Sequence, residues 1–262
     1  MIKKIVKAAI TNLFNAFGYD VTFSRKEDNS ISVVDKNRWE PYFRLDHSMK
    51  LYLEGLKRSQ NESSDNFYKQ LRFYSLQQLV RQVVRQKLSG DFVECGVWKG
   101  HSAYLISSIL SESGFSGDFH IFDSFEGGLS TKTEKDANLR VNLSDKQIGE
   151  EIKLFSSTED EVRACLSDFN FFYLYKGWIP SRFNEVKERH FAFVHIDVDL
   201  YEPTLDSINF FYPKMVKDGV IVCDDYGLTQ FPGAKKAIDD FLKNNTFKVF
   251  YEIPMGGCFI IK

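Results

Sequence analysis

After Gly90 the chain changes character: short runs of β-branched and aromatic residues alternate with segments of helical period. A chain with that alternation folds as a mostly parallel sheet with helices on both faces. The runs place strands at 91–95, 118–122, 171–175, 192–196 and 220–223, with helices beginning near Ser102, Thr158, Thr204 and Pro232. Proline suits the first helical position because its missing N–H would have no partner there anyway. At the end, 247–253 and 258–261 flank Pro254-Met255-Gly256-Gly257 and read as an antiparallel pair that closes the sheet.

Upstream, the period is helical from Ser48 to Leu88 and is broken at 61–66 by a polar stretch, so two helices precede the sheet. Residues 20–45 are polar without a helical period and read as a linker or irregular extension. Residues 1–19 carry Lys3, Lys4 and Lys7 beside apolar residues at three- and four-residue steps. Such an amphipathic helix packs on the domain or on a second subunit, or it can lie on a membrane surface as a peripheral contact. The expected organisation is a helical extension over 1–89, serving substrate choice and homodimer formation, and an α/β domain over 90–262. Within the domain, 126–157 is long for a connection, which marks a lid or binding insert.

With 262 residues, 43% of them hydrophobic, the chain can bury one large core. Lys plus Arg number 34 against 36 Asp plus Glu, a net charge of −2, so there is no positive field to hold a phosphate backbone and nucleic acid is not an expected partner. The four cysteines, 95, 165, 223 and 258, are far apart, and three lie in apolar runs, as buried free thiols of a reducing compartment would. No apolar run reaches the ~18 residues of a membrane span and no cleavage pattern follows the first residues, so the cytoplasm is the expected location.

Three motifs carry chemistry. In VECGVWKGHSAY, 93–104, a strand ends in Glu94, then Gly96 and Gly100 lead into a helix. Such a turn lets a ligand approach the backbone closely, and the helix start offers free N–H groups. The dinucleotide pattern G-x-G-x-x-G is absent, which points away from pyrophosphate and toward an amino-acid carboxylate, with Glu94 able to accept from an ammonium group. The same glycines would also serve a purely structural strand-to-helix turn. In FHIFDSFEGG, 119–128, Asp123 ends the next strand, where it can accept two ribose hydroxyls or cap the following turn.

The third motif is HIDVDLYEPT, 195–204, together with VCDDYG, 222–227. Both fall at strand carboxyl ends, so Asp197, Asp224 and Asp225 converge. Buried carboxylates repel one another unless a cation or proton joins them, which implies a hard divalent ion, most simply Mg²⁺. Asp199 either shares that face or caps the next helix. His195 reads as a packed core residue and not a base; His101 faces a cofactor or solvent; Trp178, Tyr201 and Tyr226 flank strand ends and can line a pocket.

The segments VECGVWKG, FDSFEG, YKGWIP, HIDVDLYEPTLD and CDDYG with PGAKKAIDDF, in that order, resemble the macrocin O-methyltransferase (TylF) family of class I S-adenosylmethionine-dependent enzymes, from about Ser75 onward. The resemblance implies a Rossmann-like, seven-stranded, mostly parallel sheet with an antiparallel last strand. It also implies a cofactor site including Glu94, Gly96, Gly100, Ser102, Asp123 and Ser124, and a metal site of Asp197, Asp224 and Asp225. The expected reaction is methyl transfer to a hydroxyl, with a sugar on a small molecule or glycan as the leading acceptor and Asp197 as proton acceptor. Two rivals are a non-catalytic nucleoside- or partner-binding protein on the same fold and a nicotinamide oxidoreductase, the latter disfavoured by the missing third glycine.

Overall fold

The computed structural model describes residues 2–23, 31–35, 47–61, 64–136, 144–254 and 256–262. They divide into two compact units, Met1–His47 and Ser48–Lys262. The first holds α1 (Ile2–Ala16) and two strands, β1 (Tyr19–Phe23) and β2 (Ile31–Asp35), paired antiparallel from Tyr19↔Asp35 to Phe23↔Ile31. This pair corrects the linker expected over 20–45. Its sequence signal is the period-two placement of Tyr19, Val21 and Phe23 opposite Ile31 and Val33, which the polar flanks hid. Residues 24–30 and 36–46 lie outside the described residues.

Helix α2 (His47–Arg58) starts at the boundary and leads into the second unit, where α3 (Phe67–Arg85) follows. Asn66 caps α3, its side chain accepting from Lys69 N at 2.9 Å. Leu51, Leu56, Phe73, Leu76 and Val80 of these helices lie in one apolar cluster with Phe92, Ile121, Phe193 and Val222 of the sheet. Both helices thus belong to the body of the α/β unit, whereas the sequence reading had placed them in the extension.

The elements then run β3 (Asp91–Cys95), α4 (His101–Glu112), β4 (Phe119–Asp123), α5 (Asp145–Leu154), α6 (Glu159–Cys165), β5 (Phe172–Lys176), β6 (Phe191–Ile196), α7 (Tyr201–Phe211), β7 (Met215–Cys223), α8 (Pro232–Leu242), β8 (Val249–Glu252) and β9 (Cys258–Ile261). The seven strands stand in the order β5-β4-β3-β6-β7-β9-β8, with β9 antiparallel to both neighbours and the remaining pairs parallel. Residues along a strand alternate between faces. Phe92, Ile121 and Phe193 therefore meet the cluster that includes α3 and α4, while Val93, Cys95, Phe122, Val194 and Ile196 meet Ile208, Phe211, Ile238 and Phe241 of α7 and α8. Each of these fully buried phenylalanines contributes roughly 2–3 kcal/mol by leaving water.

All four cysteines are buried and free, as expected. Among the described residues no helix is long and apolar enough to cross a membrane. At the amino end of the sheet, Asp91, Asp118 and His120 come together but are closed by Arg189, whose Nη1 is 3.2 Å from Asp91 and 3.1 Å from Asp118. Burial opposes ionisation of Asp91, but His120, the Asp118 N–H and Arg189 outweigh it and hold the carboxyl below its ordinary range. This is an ion-pair network without an open position.

Candidate functional site

From β3 the chain passes to β4 and β5 on one side of the sheet and later to β6 and β7 on the other. A crevice opens where that order reverses, at the carboxyl ends of β3 and β6. A cavity of about 370 Å³ occupies it. Its floor is the turn after β3. Gly96 has φ +82°, and a Cβ there would stand 1.9 Å from the carbonyl oxygen of Asp197, so only glycine lets β3 and β6 end side by side. Gly100, φ +86°, is the N-cap of α4 and offers no side chain to its free N–H groups.

Asp123 ties this turn to β4. Its Oδ2 accepts from Val97 N at 2.8 Å and Trp98 N at 3.0 Å, and its Oδ1 from Phe125 N at 2.9 Å. The capping role weighed from sequence is therefore present. A carboxylate has about four acceptor positions, so one remains on this cavity-lining residue. Gly96, Ser102, Asp123 and Ser124 of the expected cofactor set line the cavity; Glu94 and Gly100 do not. Glu94 is fully buried within the sheet and accepts from His195 Nδ1 at 2.8 Å, its second oxygen having no hydrogen-bond partner. Burial works against a charged His195, but the Glu94 hydrogen bond and charge outweigh it and lift the imidazole to about 9.

On the opposite wall, Asp197 follows β6, and Asp224 and Asp225 follow β7. Single carboxylate oxygens of Asp197, Asp199 and Asp225 all lie within 4.8 Å of one another. Asp224 is turned toward α3, where Arg72 Nη2 sits 3.3 Å from its Oδ2. The geometry thus puts Asp199 into the closest group, in the place that the sequence set gave to Asp224. Asp199 adopts φ +63° and does not cap α7, whose N-cap is Leu200. The cap comes from the insert: Asp136 Oδ1 accepts from Tyr201 N at 2.8 Å. Burial raises Asp197 well above the ordinary carboxylate range, with the Asp224 and Asp225 charges adding to it; burial likewise raises Asp199 and Asp225.

The insert supplies Gly128, Leu129, Ser130 and Phe155 to the wall. It is fastened by Lys132, whose Nζ lies 2.7 and 2.6 Å from the two oxygens of Glu151. Its α5 bears out the helical pattern at Ile148 and Ile152, while Leu143 lies outside the described residues. Trp178 lines the cavity and donates Nε1–H to Glu126 at 2.9 Å. Tyr201 and Tyr226 do not line it; their hydroxyls are spent on Asp240 at 3.1 Å and Asp239 at 2.8 Å.

Two cationic residues on the wall, Lys69 and Arg72 of α3, were not singled out from sequence. Their signal was a cation pair at i, i+3 beside the buried Phe73 and Leu76, which puts positive charge on the inward face of a helix. His101 is also on the wall and nearly buried, with Nε2 donating to Tyr52 O at 2.9 Å; burial, then the charge of Lys69, pushes it down to about 3. It is a neutral ring.

Residues 63–255 match the sequence profile of Macrocin-O-methyltransferase (TylF). The chain belongs to that family. Curated relatives include the demethyldecarbamoylnovobiocin O-methyltransferase of Streptomyces niveus, 25% identical over 181 residues, and the mycinamicin III 3''-O-methyltransferase of Micromonospora griseorubida, 25% identical over 175 residues. The match to the first takes in 65% of this chain and 64% of the relative, just under two thirds of its length. Among solved structures, the O-methyltransferase NovP superposes with a TM-score of 0.67 at 22% identity, over 83% of this chain and 99% of that one. This similarity bears out the Rossmann-like methyltransferase fold for the TylF-family chain, including the reversed last strand.

Proposed function

We propose that this TylF-family chain is an S-adenosylmethionine-dependent, divalent-metal-assisted O-methyltransferase acting on a sugar hydroxyl of a glycan or glycosylated small molecule. The observation that carries the reading is the gathering of three carboxylates, Asp225 buried and Asp197 and Asp199 half-buried, at the mouth of β6 and β7, lining one cavity with a glycine turn and Asp123. The named activities of the relatives, methylation of glycosylated natural products among them, support the sugar acceptor.

The cavity fits both groups. Leu129, Phe155, Trp178 and Ile179 make an apolar wall for a purine, Asp123 keeps one lone pair for a ribose hydroxyl, and Gly96 and Ser102 lie where the amino-acid arm would run. Glu94 and Gly100 would shape this site from behind. S-adenosylmethionine supplies a methyl group already activated on a sulfonium. A divalent ion held by Asp197 and Asp225, with Asp199 or Asp224, would acidify an acceptor hydroxyl beside it. Asp197, beside the hydroxyl that such an ion would hold, is the proton acceptor in this reading. Arg72, paired with Asp224, offsets part of the negative charge, and α3 with the insert selects and orients the acceptor.

Transfer of labelled methyl from S-adenosylmethionine to p-nitrophenyl glycosides tests this. Activity with Mg²⁺ should drop at least about 100-fold in EDTA and return on adding Mg²⁺. Wild-type transfer as fast in EDTA as with Mg²⁺, or an Asp224→Ala/Asp225→Ala variant as active as wild type with Mg²⁺, would refute the metal, and cofactor binding without transfer to any acceptor would leave only a nucleoside-binding protein. Homodimerisation, and a membrane contact through residues 1–19, rest on the exposed Val6 and Leu13 of α1 and Phe17 just after it. Light scattering should read the mass of two chains; the mass of one chain removes the dimer, and failure to sediment with anionic vesicles removes the membrane contact.

A further inference from the structure

We infer that Lys69 is the counter-charge for the α-carboxylate of S-adenosylmethionine, holding it against the amino-terminal end of α4. The inference rests on the cofactor reading above and extends it to a residue of the preceding helix.

Lys69 is 8% exposed and lies in the first turn of α3, the end of a helix where a cation is disfavoured. Among the described residues its ammonium has a single hydrogen-bond partner, Ser64 Oγ at 2.6 Å, and no carboxylate within ion-pair distance. The acids around it are engaged elsewhere. Asp65 accepts from Tyr52 Oη at 2.7 Å and from Gln70, Asp224 holds Arg72, and Asp197 belongs to the group with Asp199 and Asp225. An ammonium buried with one hydroxyl and the face of the Phe73 ring, 5.2 Å away, but no counter-charge is costly, so its retention here points to an anion that arrives with a ligand.

The cavity says which anion. Lys69 lines it beside His101 and Ser102, the first two residues of α4. Gly100 gives that helix no side-chain cap, and His101 is neutral with its donor committed to Tyr52, so neither neutralises an anion-attracting helix start. Lys69 and His101 both pack against Phe73, so the ammonium and the start of α4 adjoin on the cavity wall, with Asp197 and Asp224 within electrostatic reach of the same ammonium. S-adenosylmethionine has one anionic group and two cationic ones. With the purine against Trp178 and the ribose at Asp123, its ammonium and sulfonium face the aspartates and its carboxylate faces Lys69. Burial, with the Arg72 charge next, lowers the Lys69 ammonium to about 8, in keeping with a site that awaits an anion.

Calorimetric titration with S-adenosylmethionine and its decarboxylated analogue, which differ only in that carboxylate, tests the assignment without any acceptor. Wild type should bind S-adenosylmethionine about 10- to 100-fold more tightly than the analogue, the scale of one charge-assisted contact. Lys69→Met, and separately Lys69→Gln, should lose that preference while binding the analogue as wild type does. An unchanged preference in both variants overturns the role of Lys69 alone, as does equal weakening of both ligands, the mark of a purely structural residue. A wild type that binds neither ligand overturns the cofactor reading itself.

Discussion

Asp197→Asn is expected to lower methyl transfer by about 10³-fold or more while the variant still binds S-adenosylhomocysteine. The substitution keeps the shape of a half-buried side chain just after β6, and the backbone anchor Asp197 N to Cys95 O at 2.8 Å is untouched. What it removes is a negative charge and a proton acceptor. Stability should move in the opposite direction. Asp197 is raised by burial and by Asp224 and Asp225, which means that its ionised form is a strain on the metal-free protein. In EDTA the variant should therefore melt at a higher temperature than wild type. Adding Mg²⁺ should raise the wild-type Tm and leave that of the variant nearly unchanged, since a ligand stabilises only the fold that binds it. Transfer within tenfold of wild type would sink the assignment; so would a Tm in EDTA below that of wild type.

Such a site, destabilising until filled, is also where the sequence was hardest to read in detail. The motifs after β6 and β7 announced a gathering of acids, because both lie at strand ends that the alternating pattern had located. Which of four aspartates point together depends on backbone angles. Asp199, at φ +63°, breaks the strand alternation and joins Asp197 and Asp225, while Arg72 draws Asp224 aside. That arginine lies far upstream in a helix whose apolar period was legible but whose inward-facing cations were not.

The element boundaries tell the same story. Strands β3 and β9 were placed to the residue, since compact apolar runs between polar turns specify them. The start of β7 fell five residues early, at Met215, because Lys217, Asp218 and Gly219 read as turn chemistry, and Asp218 does adopt φ +63° within a strand that carries a bulge. α7 starts at Tyr201 where Thr204 was expected, because the N–H of Tyr201 is satisfied by Asp136, a partner sixty-five residues away that no local capping pattern reveals. Local signals fixed the sheet; long-range hydrogen bonds set its edges and the final shape of the site.

Glu94 and His195 show the cost of such a long-range pair, and His195→Leu is expected to destabilise the fold by about 3–5 kcal/mol. The two side chains face each other from adjacent registered strands, are 0% and 1% exposed, and meet at 2.8 Å. Removing the imidazole leaves a carboxylate in the core with no other hydrogen-bond partner among the described residues, a change that should lower Tm by on the order of 10 °C in a chain of this size. The pH dependence follows from the raised imidazole. His195 moves from an ordinary 6.5 to about 9, so its contribution is complete below pH 6.5 and fades as pH rises through 9. The gap in stability between wild type and variant should accordingly narrow in alkaline buffer. Because the penalty belongs to the orphaned charge and not to lost attraction, Glu94→Leu/His195→Leu should be more stable than His195→Leu alone. Denaturant unfolding of the two single variants and the double settles it: additive losses would mean that the pair is two independent packing residues, and that the sheet, not the charge, decides their worth.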